Sequence, residues 1–155
     1  MHFFFMRLLV LAGLFLAFAA PAHAVTVNTT QAINFGTWFI PGNAGAYSVT
    51  INTDGSSSNS PQLVRVRSPQ KGIYVLGDLP INTVINSLDF SQGQALTTGG
   101  GEVFTMTSFQ SDSPLVTDGV GDLPLVLGAT VETSGNGSGY GRGVFTGQIN
   151  VEINY

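Results

Sequence analysis

The sequence predicts an all-β fold, an immunoglobulin-like antiparallel β-sandwich, from three observations. Nothing beyond residue 24 reads as a long helix. Gly, Ser, Thr and Asn interrupt the chain every few residues, and the runs between them are β-branched or aromatic. Within several runs, apolar and polar residues alternate with a period of two, which puts one face of a strand inward and the other in water.

The N-terminal segment stands apart from this domain. Arg7 supplies a positive start, residues 8–20 form an apolar stretch, and Ala22-His23-Ala24 is an A-x-A cleavage signal. Residues 1–24 therefore read as a secretory signal peptide removed after Ala24. The apolar stretch is short for a retained membrane span, and no Cys follows it to carry a lipid anchor. Residues 25–155 remain as one domain.

Strands are expected near 31–39, 46–52, 62–68, 71–77, 82–90, 102–109, 123–132 and 143–155, with a minor one near 94–98. In 46–52, Tyr47, Val49 and Ile51 oppose Ser48, Thr50 and Asn52. In 62–68, Val64 and Val66 face one way and Arg65 and Arg67 the other. In 123–132, Leu125, Leu127, Ala129 and Val131 share a face. In 143–155, Phe145, Gly147, Ile149, Val151, Ile153 and Tyr155 share one parity. Pro41-Gly42, the stretch from Thr53 to Pro61, the glycines at 99–101 and "SGNGSGYGRG" from Ser134 mark turns. The serines at 56–58 read as a hairpin tip.

Charge and composition narrow the chemistry. Residues 25–155 hold four basic residues (Arg65, Arg67, Lys71, Arg142) and nine acidic ones, a formal net charge of −5. Such a chain does not seek nucleic acid or anionic lipid. Both histidines, His2 and His23, lie in the signal, and there is no cysteine. Imidazole bases, thiolate nucleophiles and ordinary zinc, copper or non-haem iron sites are thereby excluded from the mature domain. No cofactor is expected.

What remains is carboxylate and hydroxyl chemistry. Asp112, Asp118 and Asp122 are a weak candidate for oxygen ligation of Ca²⁺; the plainer reading is a solvated acidic loop, and the spacing fits no known calcium motif. Asp78, Asp89, Glu102, Glu132 and Glu152 are glycosidase candidates by residue type alone, and nothing in the sequence pairs any two of them across a cleft. An enzyme is not expected. Arg65, Arg67 and Lys71 form the one basic cluster, which a solvated sheet face explains as well as a carboxylate partner does. Trp38, Phe39 and Tyr47 could stack on a glycan, or pack in the core beside Ile33 and Phe35.

The stretch "INFGTWFIPGNAGAYSVTINTDGSSS", from Ile33, together with "GEVFTMTSF" and "LVLGATVETSGNGSGYGRGVFTGQINVEINY", resembles a bacterial family of secreted β-sandwich proteins catalogued as a domain of unknown function. That family in turn is similar to the pilin-type subunits of archaic chaperone–usher fimbriae and to spore-coat-protein-U-like proteins. Gly143 and Tyr155 are spaced like the Gly and Tyr of a pilin's last strand, although Tyr155 is the final residue and the disulfide frequent among those relatives is absent.

The resemblance implies a structural, non-enzymatic subunit, in the periplasm, on the outer surface or in a fimbrium, whose sandwich lacks its last strand. Like subunits and a periplasmic chaperone would be its partners, each adding a strand. Phe145, Ile149, Val151, Ile153 and Tyr155 would line the groove edge, and Val25 and Val27 would be candidate donor contacts, poor ones because Thr29 and Gln31 break the apolar alternation. Two alternatives stay open. Residues 25–39 could complete the chain's own sandwich as one strand, or the domain could be a self-contained binding module, for a glycan.

Overall fold

The structure is a computed structural model that describes residues 24–98, 101–112 and 115–155. The signal peptide, Ala24 excepted, and two of the three glycines at 99–101 lie outside the described residues. Eleven strands follow one another: β1 (Thr26–Gln31), β2 (Thr37–Phe39), β3 (Ser48–Ile51), β4 (Ser57–Asn59), β5 (Val64–Arg67), β6 (Gly72–Gly77), β7 (Ser87–Phe90), β8 (Gln94–Leu96), β9 (Phe104–Asp112), β10 (Leu123–Thr133) and β11 (Val151–Asn154). Among the described residues there is no helix, and every strand pair is antiparallel. The all-β, sandwich-class expectation is met.

Strand β10 organises the molecule. Its alternation is complete: Leu123, Leu125, Leu127, Ala129 and Val131 are all buried. β9 covers one side of it, from Val126↔Asp112 to Thr133↔Phe104. The other side is shared end to end by two strands. β6 pairs with residues 123–127, then β3 pairs with residues 129–132. Gly128 sits at the changeover, where a Cβ would lie 2.4 Å from the Ile51 carbonyl oxygen. Only glycine admits so close an approach of two backbones. The main sheet runs β1-β6-β10-β3-β4, with β9 and β8 continuing beyond β10, and two-stranded ribbons β7–β11 and β2–β5 complete the fold.

Two apolar clusters fill the interior. Leu76, Leu79, Ile85, Leu123 and Leu125 form one, with Tyr74, Leu88, Phe90 and Ile153 packed on it. Val49, Leu63, Met106 and Val131 form the other, with Trp38, Tyr47, Phe104, Phe109 and Ile149 among its neighbours. Phe90 and Phe109 stack at 5.3 Å and join the two. Each fully buried Leu or Ile contributes about 1.5–3 kcal/mol by leaving water, and with no disulfide the fold depends on this packing and on its ladders.

Three expectations change. The strand expected over 31–39 is regular only in β2, because Gly36 turns the chain at φ +82° where a Cβ would meet the Arg67 carbonyl at 2.4 Å, and β1 lies ahead of it over Thr26–Gln31. The serines at 56–58 do not make the hairpin tip. Asn52 N–H bonds to the Ser56 carbonyl and the Asp54 carboxylate accepts from Ser56 N–H, so the tip is Thr53 to Gly55 and Ser57 and Ser58 enter β4. The strand expected over 143–155 is regular only in β11, with one isolated bridge at Thr146.

Candidate functional site

The first and last strands border one apolar cleft. β1 is Thr-rich, and it is held mainly by its ladder to β6, from Thr26↔Gly77 to Gln31↔Ile73. A register shift between Thr29 and Gln31 is pinned by Gln31 Nε2 donating to the Lys71 carbonyl at 2.7 Å and Ile33 N–H donating to the Tyr74 hydroxyl at 2.9 Å. Val25 and Val27 stay 40% and 57% exposed.

β11 pairs with β7 through Val151↔Phe90 and Ile153↔Leu88, and the pairing extends to Asn150, whose carbonyl accepts from Ser91 N–H at 3.1 Å. Ile153 reaches the first core cluster and Ile149 the second. Among the described residues β1 pairs with no strand but β6, and β11 with none but β7. Each therefore keeps one edge of its backbone outside any ladder.

Between them lie two hollows, of about 440 and 300 Å³. They share Val27, Leu76, Ile149 and Val151, so they form one cleft. Val25, Ile153 and Tyr155 line its outer part, and Tyr74, Phe90, Leu125 and Leu127 its floor. No charged side chain lines it, and Asn150 and the Tyr74 and Tyr155 hydroxyls are the polar side-chain groups of its lining. Lined largely by apolar side chains and bordered by two strands that each keep one edge outside any ladder, this space suits an extended peptide with alternate apolar side chains.

The expected groove residues divide. Ile149, Val151, Ile153 and Tyr155 line the cleft, as do Val25 and Val27 from the opposite strand. Phe145 does not. It packs edge-to-face on Phe104 at 4.9 Å and against Tyr140 at 5.8 Å, beside the Gly-rich loop. Val25 and Val27, read as donor contacts for another chain, stand here as walls of the chain's own cleft. The floor residues carried no signal of their own in the sequence, since each reads simply as core.

The carboxylates are scattered by the fold. Asp112 ends β9 opposite Val126, while Asp118 turns its carboxylate onto the N–H groups of Val120 and Asp122, 2.9 and 2.8 Å away. Those two bonds, Asp122's foremost, hold the Asp118 pKa below its usual range. Among the described residues no three metal-binding side chains gather, and Asp112, Asp118 and Asp122 are not brought together. Asp89 and Glu152 do meet, directly opposite each other in the β7–β11 ladder, but both are exposed and outside the cleft lining. Asp78 occupies an exposed turn at φ +62° and Glu132 pairs with Ser48 in the main sheet.

Glu102 accepts hydrogen bonds from the Ser134 hydroxyl and from Asn136 Nδ2, and these, Ser134's first, lower its pKa. Arg65 and Arg67 lie on exposed β5, and Lys71 donates to the Thr53 carbonyl at 2.7 Å. Trp38 and Tyr47 pack on the second core cluster, and Phe39 is 60% exposed.

Residues 25–155 match the family described as Domain of unknown function (DUF4402). The chain belongs to that family. The DUF4402 match takes in every strand of the structure, both borders of the cleft included. No curated protein and no solved structure matches the chain.

Proposed function

We propose that this chain is a secreted, non-enzymatic structural subunit that receives a strand from another polypeptide in the cleft between β1 and β11, as the resemblance to fimbrial and surface-coat subunits implies. The observation that carries the reading is the cleft itself: a hollow lined largely by apolar side chains and bordered by two strands that each have an unpaired edge. Ordering each residue of an incoming strand costs about 1–2 kcal/mol, and each backbone hydrogen bond returns about 1 kcal/mol net. Backbone pairing therefore roughly offsets ordering, and apolar side chains entering the cleft, at about 1.5–3 kcal/mol each, make binding favourable. A donor must carry apolar residues at alternate positions; an all-polar strand of equal length gains nothing.

The test tethers a nine-residue strand to the C-terminus through a flexible Gly/Ser linker, with Val or Ile alternating with Thr. A control fusion carries Ser in place of each Val and Ile. The apolar fusion raises Tm and protects the chain from protease, and the control does not. Equal Tm for both fusions and the unfused chain would overturn the proposal.

A further inference from the structure

The loop after β10 contains the one Asn-Gly pair in the sequence, Asn136-Gly137. In a flexible chain such a pair loses its amide. The Gly nitrogen attacks the Asn Cγ, a C–N bond forms, the Cγ–Nδ2 bond breaks and ammonia leaves. Water then opens the cyclic imide at either carbonyl to give aspartate or isoaspartate. Asn136 and Gly137 are exposed, so water is at hand.

The loop holds both reacting groups in place. Gly137 N–H donates to the Asn43 backbone carbonyl at 2.7 Å. The Asn136 Oδ1 accepts from Ser138 N–H at 2.8 Å and from Asn43 Nδ2 at 3.3 Å. Its Nδ2 donates to the two Glu102 oxygens at 2.9 and 3.2 Å. Asn43 is 3% exposed and also grips Ser134 Oγ, the Ser138 carbonyl and Gly135 N–H. Bringing Cγ onto the Gly137 nitrogen requires these bonds to break together, which makes the reaction wait on local opening of the loop.

We propose that Asn136 is a site of spontaneous deamidation gated by Asn43, and that its conversion is a one-way release of the 134–143 loop. The product replaces a donor facing Glu102 with a second carboxylate at the same short range. Two like charges there repel and no hydrogen bond can re-form between their ionised forms. The loop also carries Tyr140, whose hydroxyl donates to the Val103 carbonyl and accepts from Ser134 N–H, and whose ring packs on Phe104 and Phe145. Release therefore loosens the approach to the last strand. This inference is independent of what the cleft binds.

The test follows Asn136 by peptide mass spectrometry and isoaspartyl methyltransferase labelling during incubation at 37 °C in mildly alkaline buffer. The folded chain converts at least about tenfold more slowly than the same chain in urea. Asn43→Ala, or Glu102→Ala where the former fails to fold, moves the folded rate toward the unfolded one. Asn136→Asp makes the loop the first site of protease cleavage. Equal rates folded and unfolded, an unchanged rate in a variant that circular dichroism shows to be folded, or an Asn136→Asp loop as resistant as the parent would each overturn the proposal.

Discussion

Asp89 of β7 and Glu152 of β11 stand directly opposite each other across the β7–β11 ladder, two exposed carboxylates on facing strands. Ser87 Oγ and Asn154 Nδ2 donate to Asp89, at 2.9 and 2.8 Å, and offset part of the repulsion. Like charges facing each other across strands are unfavourable. Glu152→Lys is expected to stabilise the domain by about 0.5–1 kcal/mol, read as a higher urea midpoint at unchanged slope. The gain shrinks as salt is added, because the pair is exposed.

The changeover at Gly128 is steric. A methyl group there would sit 2.4 Å from the Ile51 carbonyl oxygen, a backbone atom that cannot swing aside as a side chain could. Gly128→Ala is expected to cost at least about 2 kcal/mol and to lower Tm by several degrees. Gly119→Ala, where a Cβ meets nothing within 4 Å, is the contrasting control and leaves Tm nearly unchanged.

β11 is anchored by its inward side chains. Ile153→Ala removes a half-buried residue packed on the first core cluster and is expected to cost about 1–3 kcal/mol in urea unfolding. Val144→Ala, at a side chain 82% exposed, leaves stability within about 0.5 kcal/mol of the parent.

Acid weakens the Gly-rich loop through Glu102. Its pKa in the folded chain is lowered by the Ser134 and Asn136 hydrogen bonds, so its stabilising contribution is complete above the ordinary Glu value near 4.5. That contribution is lost as the pH falls through the depressed folded value. Amide exchange in residues 134–143 therefore shows added opening, beyond the intrinsic pH dependence of exchange, below about pH 4.5. Glu102→Gln removes this acid-dependent opening.

The sequence was most legible where one physical demand acted alone. β10 is buried on one face along its whole length, and its period-two run of Leu, Ala and Val declares that. β1 was missed for the opposite reason: its first five residues are exposed and backbone pairing with β6, which has no side-chain signature, keeps it extended. At the C-terminus the alternation runs on from Phe145, but β7 offers only Ser87 to Phe90 as a ladder. Upstream, Thr146 is drawn to Thr97 by two 2.9 Å bonds and Phe145 to the aromatic cluster. The cleft was half visible. Its C-terminal wall follows from parity; its floor depends on β6 and β10 pairing side by side beneath it, which is tertiary information.

Amide hydrogen exchange on the chain carrying the tethered apolar strand, compared with the unfused chain, tests the central claim most directly. A strand seated in the cleft slows exchange in both β1 and β11, two segments far apart in sequence, and leaves β3 and β4 unchanged. Exchange in β1 and β11 that is equally slow with and without the tethered strand would show that the cleft receives nothing, and would contradict the account.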